Sequence, residues 1–389
     1  MIRLLLILLL ALIPSKAASI GVTQISGLAA AGSTPICKSG SNLVGEEVLS
    51  MTTDESQPTG NGFEIDPGTQ RWYFVKTNAA QTAFRLDSGT LRPLTLVRSA
   101  VLPNTPSAFE VASGAAIPML TGNNITVIGA YSNASLCTTF PHRCPKVVQY
   151  ANDLFGPLLI TEHVTNTMGG AMTNTAQDLS VGFYSLNRDT GVGNERMFFI
   201  PFTGMTSIGG RAVAAGAANN AIATDSDNIY AGDATTSGRI SKWSKSGPTF
   251  LTTLTTTCPQ LIDSLLVVTN ESALYAACNG GVIKIDLGTF SQVAAQTVGV
   301  SGVNTYNALA YDPIFRKLYL GQYVTGAVQA RRLDAQTLAV EQTTTIALAT
   351  INTGSTVKNH TKIDPSTGRL YIAGNITGGT FVARFRYCQ

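Results

Sequence analysis

Asn307-Ala-Leu-Ala-Tyr-Asp312-Pro313 running into Lys317-Leu318-Tyr319-Leu320-Gly321 decides the fold, because the chain repeats it. Asn61-Gly-Phe-Glu-Ile-Asp66-Pro67 runs into Arg71-Trp72-Tyr73-Phe74, and Asn359-His-Thr-Lys-Ile-Asp364-Pro365 into Arg369-Leu370-Tyr371-Ile372-Ala-Gly374. In all three, Asp follows Asn by five residues and Tyr follows Asp by seven. A shortened copy, Asn220-Ala-Ile-Ala-Thr-Asp225, reaches Ile229-Tyr230-Ala-Gly232 with two turn residues fewer. Each copy reads strand, tight turn, strand. Recurrence near fifty residues marks a propeller or a linear array.

The repeat tyrosines are Tyr73, Tyr230, Tyr275, Tyr319 and Tyr371, the last four 45, 44 and 52 residues apart. The gap after Tyr73 has room for two further units. Ile125–Gly129 marks one, and either Val181–Tyr184 or Arg196–Ile200 the other. Third strands follow at Gly238–Trp243, Gly281–Asp286 and Ala327–Leu333, and fourth strands at Phe250–Leu254 and Leu338–Gln342. Four short antiparallel strands make a propeller blade. The expectation is a single all-β propeller over residues 39–389 with seven blades, six remaining open because the middle third is irregular.

The phrase has structural work to do. Pro presets φ at the corner and Asp can accept nearby backbone amides. The Tyr is expected to pack between blades with its hydroxyl at a polar edge, and the Gly after it to permit the next turn. The last unit ends after three strands, Gly379–Phe385 being the third, and Asn42–Met51 can supply the fourth. A ring closed by both termini has no exposed edge at the joint.

This blade phrase resembles the NHL, YVTN and SMP-30/gluconolactonase-like propellers, whose blades read as a small apolar strand, Asp-Pro or Pro-Asp-Gly, then Leu-Tyr-Val. The resemblance covers the blade cores over most of residues 40–389 and implies a six- or seven-bladed propeller. For function it implies little, since such blades host unrelated activities.

The N-terminus reads as an address. Arg3, the apolar run Leu4–Ile13 and Ser15-Lys16-Ala17 form a secretory leader over residues 1–18, removed to leave about 370 residues. Residues 19–38 are small and weakly apolar. They read as a flexible leader or as an arm for a neighbouring subunit. No stretch approaches the roughly 20 apolar residues of a membrane span. Five sequons, at Asn124, Asn133, Asn270, Asn359 and Asn375, suit a secreted glycoprotein. Six cysteines in that setting favour disulfides over metal. Proximity and topology pair Cys137 with Cys144, Cys258 with Cys278, and Cys37 with Cys388 across the ring joint. That last bridge would contribute about 5 kcal/mol by the chain-entropy model.

Charged residues make up 13% of the chain, about half the usual share, and net charge is +3. No basic cluster interleaved with aromatics points to nucleic acid. The low charge suits an extracellular protein whose partners are proteins or glycans, or a subunit buried in an assembly.

Catalytic signals are sparse. His142, His163 and His360 form no metal-binding spacing, and no nucleophile elbow or phosphate loop is present. Met168-Gly-Gly-Ala and Ile208-Gly-Gly-Arg read as turns. The recurring Asn61, Asn220 and Asn307 open the innermost strands. With Asp263 adding charge, they are the oxygen donors available to a channel Ca²⁺. Resemblance to the lactonases, whose ligands occupy comparable positions, implies that site. Repetition in several blades argues instead for a structural role, and the sequon on Asn359 argues against a ligand there. Two functions remain: a non-catalytic extracellular binding or assembly glycoprotein, and a secreted calcium-dependent hydrolase or lactonase.

Overall fold

The computed structural model describes residues 42–387 apart from 53–61, 78–82, 106–107, 109–116, 133–142, 155, 163–170, 179–181, 189–195, 202–207, 213–218, 234–237, 247–248, 259–260, 279, 299–304, 307, 325, 349–356, 359 and 377–378. Among the described residues there are seven four-stranded antiparallel sheets. Six follow chain order from inner to outer strand. Their inner strands are Phe63–Asp66 (blade 1), Ile117–Thr121 (2), Ala171–Asp178 (3), Asn219–Thr224 (4), Ile262–Val268 (5) and Ala308–Asp312 (6). Blade 7 runs His360–Asp364, Arg369–Ile376, Gly379–Arg386, and takes Val44–Thr52 from the N-terminus as its outer strand. The ring therefore closes as the incomplete last copy requires, with Val44 opposite Arg386 and Thr52 opposite Gly379.

Sequence chemistry explains the repeated hairpins. The Asp66 carboxylate accepts the Gly68 amide (2.9 Å), and Asp312 accepts those of Ile314 (2.7 Å) and Phe315 (3.2 Å). Asp364 accepts the Ser366 amide at 3.0 Å. Each satisfies turn amides that have no ladder partner. In the shortened copy, Asp225 accepts Asp227 and Asn228 amides and also the Tyr230 hydroxyl (2.6 Å).

The core is a ring of inter-blade clusters. Strand alternation sends Trp72 and Phe74 toward blade 7, where they meet Tyr371, Ala373 and Val382. Tyr73 and Val75 face blade 2 instead, against Ile125, Val127 and Tyr150. Blades 4 and 5 share a cluster including Ile240, Ile262 and Leu274, and blades 5 and 6 another including Tyr275 and Leu318. Tyrosine hydroxyls stitch some of these joints: Tyr73 donates to the Asn152 carbonyl of blade 2 (3.0 Å), and Tyr275 to Ala335 of blade 6 (2.8 Å).

Several sequence expectations change. Gly182–Arg188 is the second strand of blade 3, so Tyr184 marks that unit and Arg196–Pro201 is its third strand. Ile208-Gly-Gly-Arg is not a turn but the start of blade 3's outer strand. Gly232 and Gly321 also stand inside second strands rather than after them. A Cβ on Gly232 would lie 2.5 Å from Ile262, and one on Gly321 2.1 Å from Thr361, both on the next blade. Those glycines let neighbouring blades approach.

Candidate functional site

Where it is described, in blade 4, the recurring asparagine is a bulge residue. In blade 4 Asn219 pairs with Asp233 and Ala221 with Gly232, leaving Asn220 unmatched. In blade 5 Ile262 pairs with Cys278 and Ser264 with Ala277, leaving Asp263 in the equivalent place. Each stands three residues before the residue opposite the repeat tyrosine, Ala223 and Leu266 respectively. Asn61, Asn307 and Asn359 hold that place in the phrase and lie outside the described residues. Asp263 is thus blade 5's version of the phrase asparagine. The sequence carried the signal, since Asp263 precedes Tyr275 by twelve residues, as Asn61 precedes Tyr73 and Asn307 precedes Tyr319.

Bulging bends the inner strand where it begins, at the end of the ring opposite the Asp turns. Asp263 is buried there. Among the described residues, no group of three His, Cys, Asp or Glu is placed to hold a metal ion. His142 and His163 lie outside those residues, and His360 opens the inner strand of blade 7 opposite Ala373.

Buried charges elsewhere are committed to partners. Lys76 lies 2.8 Å from Asp87 within blade 1, and Lys146 lies 3.2 Å from Glu162 within blade 2. Lys146 also donates to the Pro103 carbonyl (2.9 Å), tying down the passage from blade 1 into blade 2. Burial pushes the Lys146 ammonium below its ordinary pKa, and Glu162 opposes that shift. At the inner strands, Lys362 of blade 7 and Glu64 of blade 1 pair at 2.8 Å. They hold the position filled by Ala223, Leu266 and Ala310 in blades 4, 5 and 6, each opposite the repeat tyrosine.

A second set of bulges lies on the outer rim. The extra residue in the outer strand is Val97 in blade 1, Leu158 in blade 2, Leu251 in blade 4 and Val293 in blade 5. These side chains are 56%, 60%, 49% and 57% exposed, so one backbone device holds four apolar groups in solvent. In blades 6 and 7 the same place is held by Glu341 and Glu46. Glu341 pairs with Lys317 and Arg332, and Glu46 with Arg369 (3.0 Å), Arg384 (2.9 Å) and Arg386 (3.5 Å). Sequence reading missed this rim because register, not composition, selects the bulged residue.

Of the sequons, Asn270 is exposed on the short 3₁₀ turn Thr269–Glu271 and Asn124 is half-buried at the start of a strand. Asn375 lies in the second strand of blade 7, while Asn133 and Asn359 lie outside the described residues. Cys258 and Cys278 form a disulfide, as the sequence suggested. Cys144 is also disulfide-bonded. Cys37, Cys137 and Cys388 lie outside the described residues, as do the leader and the 19–38 segment. Among the described residues no helix is long and apolar enough to cross a membrane.

No protein-family model matches the sequence, and no curated protein matches it. Among solved structures, the chain is similar to U3-55K at 10% identity with a TM-score of 0.58, covering 86% of this chain and 98% of that one. At that identity the likeness establishes the propeller fold alone.

Proposed function

We propose that this protein is a secreted, N-glycosylated and disulfide-stabilised propeller that works by binding and assembly rather than by catalysis. Its partners are extracellular proteins or glycans, or further copies of itself. The outer rim of blades 4 and 5 carries this reading: Phe250, Leu251 and Val293 stand exposed on two strands that bear no charge. The leader-like N-terminus, the exposed Asn270 and the Cys258–Cys278 bridge support the compartment. Expression through a eukaryotic secretory pathway tests it. The expected product is processed near Ala17 or Ala18, loses mass on glycosidase treatment at Asn270, and yields a Cys37–Cys388 peptide on non-reducing mapping. Retention inside the cell with unmodified Asn270 would overturn the reading.

A second reading, a calcium-dependent hydrolase of the gluconolactonase-like type, is favoured by the equivalence of Asn220 and Asp263 on neighbouring inner strands. Oxygen donors recurring around one channel are the kind of set Ca²⁺ takes. A calcium-dependent rise in melting temperature that Asp263→Asn abolishes, together with lactone turnover, would establish it over the first.

A further inference from the structure

We propose that the rim formed by the outer strands of blades 4 and 5 is a self-association surface, at which two copies of this chain meet across a two-fold axis. This rests on the assembly reading above and names its partner and place.

Neither Thr249–Thr255 nor Ser291–Thr297 contains a charged residue. The two blades are braced together. The Thr257 amide donates to the Gln292 side-chain oxygen (2.9 Å), and the Gln292 amide nitrogen to the Thr257 hydroxyl (2.7 Å). The Phe250 ring stands edge-on to Trp243 at 5.3 Å and is 44% exposed. Leu251 follows it in the blade 4 bulge, and Val293 holds the equivalent bulge of blade 5. The result is an uncharged surface from which three large apolar side chains project.

Bulged edges resist addition of a foreign strand, so a partner must be met through side chains. A charged ligand finds no partner on either outer strand, the flanking Lys242 standing over the Phe290 ring at 5.5 Å. A second copy brings the same uncharged strands, without the like-charge repulsion that net +3 imposes on other approaches. Set antiparallel about Thr252, one Thr249–Thr255 strand places Thr249 opposite Thr255 and Phe250 opposite Leu254 of its copy. Two-fold contacts of this kind are self-complementary. Seven residues from each of two strands fall short of the roughly 20–30 per side of a standard interface, so the dimer is expected to be concentration-dependent.

Light scattering of the mature full-length chain over a dilution series tests this. Wild type should pass from the mass of two chains to that of one. Leu251→Lys/Val293→Lys should associate at least about a hundredfold more weakly, because it removes two exposed apolar side chains from each face and gives both faces like charges. Val97→Lys/Leu158→Lys, at the same bulges of blades 1 and 2, should match wild type and shows that a lysine there leaves the fold intact. Equal weakening by both pairs, or a wild-type monomer throughout, would overturn the inference. A secreted, glycosylated monomer does so while leaving the binding reading standing; a monomer that hydrolyses lactones overturns that reading itself.

Discussion

The joint between blades 7 and 1 and the joint between blades 4 and 5 share an apolar core but are secured by different chemistry. At the first, two chain ends must find each other. Lys362–Glu64 crosses from blade 7 to blade 1 at the inner strands, and within blade 7 Glu46 of the N-terminal strand stands among three arginines of the C-terminal strands. Arg384 adds a bond to the Leu91 carbonyl of blade 1, and Glu47 accepts the Leu94 amide. At the second, the chain is continuous, the contact is apolar, and the staple is covalent. Directional charge suits the joint where register must be chosen, because a slipped strand leaves charges unpaired. Where covalent connection already fixes register, apolar packing suffices. It also leaves the rim neutral and free to meet something else.

The largest effect should come from breaking the first joint. Deleting the chain through Thr52 removes the outer strand of blade 7 and uncovers the clusters that hold Phe385 and Val382. Loss of a cooperative melt by calorimetry is expected; a native-like transition would mean the ring closes without that strand. Next, Cys258→Ser/Cys278→Ser opens a loop of about twenty residues and should cost about 3 kcal/mol in denaturant melts. The apolar joint should weaken without the ring opening.

Gly232→Ala sets a methyl against Ile262 at that same joint, an overpacking worth about 1–3 kcal/mol. An unchanged denaturation midpoint would show that blades 4 and 5 sit farther apart. Smaller still, Tyr275→Phe removes a bond to blade 6, at about 1 kcal/mol.

The smallest effect is a pH dependence. Amides and the hydroxyl of Thr337, with Lys317, hold Asp334 down at about 2, against an ordinary 3.8. A bidentate contact with Arg316 likewise lowers Glu271. Depressed carboxylates stabilise the fold above their unfolded pKa and lose that contribution as pH falls through the folded value. Melting temperature should therefore decline between about pH 4 and pH 2, less steeply in Asp334→Asn. Asp312 acts with the opposite sign, since burial raises it.

Much of the architecture was legible because the phrase repeats. Asp turns, tyrosine joints and the missing fourth strand are local in sequence, and counting residues finds them. The role of the asparagine was half legible. Its recurrence marked it as structural, but only pairing shows Asn220 and Asp263 displaced from the ladder. Gly232 and Gly321 were misread as turn residues, because the side chains that demand them belong to the next blade. The rim was illegible for a related reason. Leu251 and Val293 look like ordinary strand residues until the register shows each has no opposite number.

Hydrogen–deuterium exchange of the wild-type chain, concentrated and dilute, tests the two joints together most directly. Peptides covering residues 249–255 and 291–297 should lose protection on dilution, while those covering 44–52 stay protected at every concentration. A rim whose exchange ignores concentration, with dilution instead releasing the closing strand or the Asp turns, would contradict the assignment of the neutral rim to association and the charged joint to closure.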